Sequence, residues 1–137
     1  MNRKLIAAAV TAAALAGCHT MPCHGPEQSP VPTRPQVSIV DGRHIVVNQE
    51  PIIFTKAQVN VTIRWQLPAN GEYRFPRNGI DFEKSADGEI VECQPSKDGL
   101  EFTCLNRHTR PGSYKYTVNV QRGEKRLEPL DPRVVNM

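Results

Sequence analysis

The chain has 137 residues, of which 17 are basic and 14 acidic. Loss of Arg3 and Lys4 with a cleaved leader would leave 15 basic against 14 acidic side chains, a balance that excludes nucleic acid as the main partner, because that calls for a clustered basic surplus. The length leaves room for one domain of about 100 residues and not for a two-domain enzyme, while 6% aromatics and 12 prolines against 9 glycines argue against a helical bundle.

Two basic residues, Arg3 and Lys4, precede an apolar run over residues 5–15. That run is too short to span a hydrocarbon core, which needs about 20 residues in a helix; a basic start, a short apolar run and small residues are the layout of a secretory signal, here residues 1–17. The tetrapeptide Leu15-Ala16-Gly17-Cys18 resembles the lipobox of bacterial lipoproteins. The resemblance implies that Cys18 is the lipidation site, acylated on its sulfur and on its freed amino group by chains such as palmitate. Three chains exceed the two-signal requirement for stable anchoring. His19 rather than Asp follows the cysteine, which by the sorting behaviour of such lipoproteins implies the outer membrane, with the domain facing the periplasm.

Residues 18–35 hold Pro22, Pro26, Pro30, Pro32 and Pro35 and few large apolar side chains. Such a stretch favours extended polyproline II and reads as a tether. At about 3.1 Å per residue it reaches up to roughly 50 Å. From Gln36 the pattern changes to alternation, so the domain is expected over residues 36–137. Residues 37–40 and 44–47 flank Asp41-Gly42 and read as a hairpin. Residues 52–54 follow as a short strand. Val59, Val61, Ile63, Trp65 and Leu67 alternate with polar residues, the clearest period of two in the chain, which puts Trp65 in the core. Tyr73 and Phe75 alternate with Glu72 and Arg74, and read as core before recognition surface. Residues 79–82, 89–93, 100–104, 114–120 and 133–135 complete the set, separated by turn signals such as Asp87-Gly88, Asp98-Gly99 and Pro111-Gly112. Seven to nine short strands without a helical period predict an all-β domain, an antiparallel β-sandwich of immunoglobulin-like or cupredoxin-like kind, with a small barrel as the alternative.

Acylation of Cys18 leaves three thiols in an oxidising compartment, where a pair is expected. Cys93 and Cys104 lie symmetrically about Asp98-Gly99. A four-residue loop over residues 97–100 makes 96:101 a hydrogen-bonded pair and 93:104 a non-hydrogen-bonded one, where side chains approach closely enough for a bridge. Pro95 then falls where its missing N–H does no harm. Val91, Leu100 and Phe102 are expected on the core side of this hairpin. Cys23 is left over, in a Cys/His-rich tract with His19 and His24 that fits no structural zinc spacing.

The stretch Phe102-Thr103-Cys104-Leu105-Asn106-Arg107-His108, followed by a strand, resembles the ligand loop of the cupredoxins, which implies copper on Cys104 and His108. Three departures stand against it: no Met follows in the loop, no upstream His follows the Trp-bearing strand, and Cys104 is claimed by the bridge. No metal or other cofactor is therefore expected. Arg107, His108 and Arg110 crowd one loop and form a candidate anion- or partner-binding site. Serines 38, 85, 96 and 113 have no base beside them in the sequence. The chain thus reads as a non-catalytic, lipid-anchored envelope protein. Its partners would be the membrane, through Cys18, and another envelope protein or polymer; copper redox chemistry is the competing reading.

Overall fold

A computed structural model describes residues 31–137; the leader, Cys18, His19, Cys23, His24 and most of the tether lie outside the described residues. Twelve short strands form four small sheets. Strands β1 (Val37–Val40) and β2 (His44–Val47) make a hairpin in which the Arg43 N–H donates to the Val40 carbonyl across Asp41-Gly42, both at positive φ. Asp-Gly is the dipeptide that tolerates such a turn. Strands β4 (Val61–Gln66), β8 (Glu101–Asn106) and β7 (Ile90–Pro95) form a second sheet in that order. The largest sheet runs β3 (Ile52–Phe54), β12 (Arg133–Asn136), β9 (Gly112–Val118), β6 (Ile80–Phe82). The fourth joins β5 (Tyr73–Arg74), β10 (Gln121–Arg122) and β11 (Lys125–Arg126). A 3-10 turn over Lys84–Ala86 is the other regular element among the described residues.

The all-β expectation holds, with more strands than the seven to nine predicted. The extra ones, β5, β10 and β11, are two residues long, too short to show any period. The sheets are also not wholly antiparallel: β3 pairs parallel with β12. These strands stand at opposite ends of the domain sequence, so no tight turn dictates their direction.

The alternation in β4 buries Ile63, Trp65 and Leu67 and leaves Thr62 and Arg64 outside. Val59 does not join it: Asn60 takes a left-handed φ of 53°, the strand begins after it, and Val59 stays exposed. Trp65 lies edge-on to Tyr116 of β9 at 5.4 Å and to Phe82 of β6 at 6.2 Å between ring centres, so it joins the three-stranded sheet to the four-stranded one. Its Nε1–H donates to the Tyr116 hydroxyl at 3.3 Å, giving a fully buried indole the partner it needs. Burial pushes the Tyr116 hydroxyl pKa well above its ordinary value, keeping that partner neutral. Phe75 and Phe102 pack at 5.9 Å. Gly79 is held to glycine by this contact, since a Cβ there would sit 2.8 Å from the Phe75 Cβ. Phe75 is thus core and Tyr73 half-buried.

Cys93 and Cys104 are bridged. The predicted loop is present: the Ser96 N–H donates to the Glu101 carbonyl at 2.8 Å, and Gln94 and Pro95 pair with Thr103 and Phe102. The expected core face needs correction. The register shifts between Val91 and Gln94, and Glu92 takes a φ of 56°; an extra residue in one strand reverses which side chains face inward. Ile90 therefore enters the core beside Phe102, Val91 sits on the opposite face against Leu105, and Leu100 is half-buried.

The fold also begins earlier than Gln36. The Thr33 and Pro35 carbonyls accept from the Arg64 and Gln66 N–H groups at 2.9 and 3.1 Å, and Gln36 bridges Gln66 in parallel. Pro35 is buried, and Gln49 Nε2 donates to the Val31 carbonyl at 2.7 Å. This lead-in covers the open edge of β4 with acceptors alone, so its prolines lose nothing by lacking an N–H.

Two stability measurements follow from this architecture. Reduction of the bridge, or Cys93→Ala with Cys104→Ala, closes no 11-residue loop and should cost about 2–3 kcal/mol in the chain-entropy account; thermal melting with far-UV circular dichroism should show a lower midpoint and an unchanged β spectrum. Deleting residues 31–35 uncovers the β4 edge and should cost about 1–2 kcal/mol, or roughly 5–10 °C in a domain this size; an unchanged midpoint would place the boundary back at Gln36.

Candidate functional site

The basic loop singled out in the sequence leaves the end of β8 and folds over Glu89, the residue before β7. Glu89 is fully buried. Its Oε1 accepts from the Thr109 N–H at 2.6 Å, the Arg110 N–H at 3.1 Å and Asn136 Nδ2 at 3.1 Å; its Oε2 accepts from the Thr109 hydroxyl at 2.6 Å. Arg110 Nε stands 3.6 Å from Oε2. Consecutive backbone N–H groups, a hydroxyl and a guanidinium are the donor set of an anion site. The loop therefore does bind an anion, and the anion is the chain's own carboxylate. Burial alone would push the Glu89 carboxyl up; the Thr109 hydroxyl, the Arg110 and Thr109 N–H groups and the Arg110 charge outweigh it and hold the group below its ordinary range.

Around this carboxylate the polar groups close on one another. Asn106 and Asn136 exchange side-chain amide hydrogen bonds at 2.8 and 3.0 Å. His108, at a left-handed φ of 54°, is buried rather than presented to solvent. Its N–H donates to Asn106 Oδ1, and its ring nitrogens stand 2.8 Å from the Gln58 carbonyl oxygen and 3.1 Å from that of Met137. A neutral ring can donate to one of these oxygens only. Arg110 also reaches the Asp87 carbonyl, while Arg107 stays exposed with Nη1 3.5 Å from the Gly88 carbonyl. Of the three loop residues, only Arg107 presents its side chain outward without a close charged or carbonyl partner. Among the described residues no buried side-chain nitrogen or oxygen lacks a hydrogen bond.

The structure separates the residues of the copper alternative. The Cys104 sulfur is bonded to Cys93, and both His108 nitrogens face carbonyl oxygens. Among the described residues no three His, Cys, Asp or Glu side chains are placed to hold a metal ion. Glu89 was not foreseen as a site residue. Its one signal is an acidic side chain opening an apolar strand after Asp87-Gly88, a pattern that usually marks a solvated turn.

No protein-family model matches the chain, and no curated protein is significantly similar to it in sequence.

Because the Glu89 carboxyl is held below its ordinary value, its contribution to stability is fully present above the unfolded glutamate range near 4.5 and is lost as pH falls through the lower folded value. Asp98, Glu101 and Asp131 are lowered too, by hydrogen bonds from Ser96, Gln66 and Thr117 respectively, so all four shape the acid limb. Glu89→Gln turns an amide N–H toward a ring of donors and should cost about 3 kcal/mol at neutral pH. Urea melts of both proteins from pH 7 to pH 3 should show the gap narrowing as the wild-type carboxylate protonates; a constant gap would mean that the charge of Glu89 is not what holds the loop.

Proposed function

We propose that the chain is a lipid-anchored protein of the bacterial envelope, with a non-catalytic β domain that serves as a binding module on the periplasmic side of the outer membrane. The observation that carries this reading is Leu15-Ala16-Gly17-Cys18 placed directly after a basic start and a short apolar run. A proline-rich stretch then separates Cys18 from the domain, as a module working away from its lipid requires. His19 in place of Asp supports the outer membrane over the inner. The two larger sheets are read as layers of a sandwich, a reading supported by Trp65 spanning from one to Tyr116 and Phe82 on the other. Binding rather than catalysis is supported by a polar cluster whose members are spent on one another.

The test is metabolic labelling with an alkyne fatty acid in the bacterial host. Wild-type protein should be labelled and sediment with outer membranes, whereas Cys18→Ser should be unlabelled and released from the membrane fraction. Unlabelled wild-type protein would overturn the lipid anchor.

A further inference from the structure

The end of the domain remote from Glu89 carries a cleft of about 370 Å³ between the lead-in, the end of β4 and the loop before β8. That size lies within the range of small-molecule sites, about 300–1,000 Å³. Its apolar side is formed by Leu67, Pro68 and Leu100, and its polar rim by Asp98 and Glu101. The two kinds of surface adjoin, so an occupant must be apolar along its length and cationic at its tip.

The rim is fixed before any occupant arrives. Asp98 Oδ1 accepts from the Ser96 hydroxyl at 2.6 Å and the Leu100 N–H at 3.1 Å, and neither bond uses Oδ2. Glu101 is oriented by Gln66 Nε2 at 2.8 Å and Arg64 Nη1 at 2.7 Å, and Gln66 is in turn held by Gln36 Nε2 at 2.9 Å. Hydrogen bonds from Ser96 and Leu100 lower the Asp98 carboxyl, and those from Gln66 and Arg64 lower that of Glu101. Both are therefore ionised at neutral pH. Arg64 offsets one of the two charges and leaves the rim an acceptor of positive charge. A shallow open depression lined by Ser96, Lys97 and Asp98 continues the cleft outward, so a chain can leave it without a buried end.

We propose that this cleft binds a lysine-type side chain presented by a partner polypeptide, with the aliphatic stem against Leu67, Pro68 and Leu100 and the ammonium between Asp98 and Glu101. Lysine fits better than arginine because the carboxylates belong to different elements and offer a point charge two separate acceptors, not one planar fork. The assignment rests on the binding-module reading but not on the lipid, so its failure leaves the fatty-acid labelling result untouched.

The experiment is an NMR titration of the full chain in detergent with N-acetyl-lysine methylamide, set against the norleucine and glutamate analogues and free cadaverine. The lysine derivative should shift the backbone resonances of Leu67, Ala69 and Leu100 saturably, with the weak affinity of an open site. Asp98→Asn keeps the acceptor used by Ser96 and Leu100, so the loop should persist while affinity falls about tenfold, a loss typical of one charge-assisted contact. Glu101→Gln should act in the same direction, and added salt should weaken wild-type binding. Equal binding of the norleucine analogue, or shifts indifferent to both substitutions, would overturn the assignment. So would cadaverine binding more tightly than the lysine derivative, because the occupant would then be a free diamine. A lysine derivative that shifts nothing in the cleft would overturn it outright.

Discussion

A carboxylate shut away from water must gather donors from wherever the chain can bring them, and Glu89 does so from three places. It takes two backbone N–H groups and a hydroxyl from the loop after β8, an amide from β12, and the charge of Arg110. The loop belongs to the three-stranded sheet and Asn136 to the four-stranded one, so one ionised group fastens both sheets at that end. Trp65 and Tyr116 fasten them again across the middle. The two attachments differ in kind. The aromatic one tolerates small shifts at modest cost, whereas the ionic one fails as a unit, since removal of the carboxylate strands several donors together.

Most of the fold was legible where side chains alternate over several residues. Ile63, Trp65 and Leu67 occupy the core because burial on one face dictates their spacing, and the loop at Asp98-Gly99 could be counted outward to the bridge because a hairpin register is arithmetic. The failures have equally local causes. Val59 and Val91 were misplaced by single residues at positive φ, Asn60 and Glu92, neither of which is glycine. A period of two carries no warning that the backbone has changed phase.

The loop of Arg107, His108 and Arg110 shows a different limit. Its residue types indicated anion chemistry, and the donors do surround an anion. Nothing in the sequence said that the anion lies twenty residues upstream and belongs to the same chain, because that pairing depends on two strands lying side by side. The cleft at the opposite end was invisible for the same reason: Gln36, Gln66 and Glu101 are far apart in sequence and meet only through the β4–β8 pairing and the lead-in.

The lead-in runs parallel to β4, and its two carbonyl bonds, from Arg64 to Thr33 and from Gln66 to Pro35, are spaced along the strand direction. A pull on the chain from its amino-terminal side is therefore directed along the strand axis and not across it. Both bonds then bear the load together, as overlapping layers do in shear, instead of parting one after another as in a zipper. Gln36 adds a third attachment where Asn48 Oδ1 accepts from its N–H. A domain hung by that end would resist tugging better than the modest number of its attachments suggests, and the first part to yield would be the lead-in rather than the core behind it.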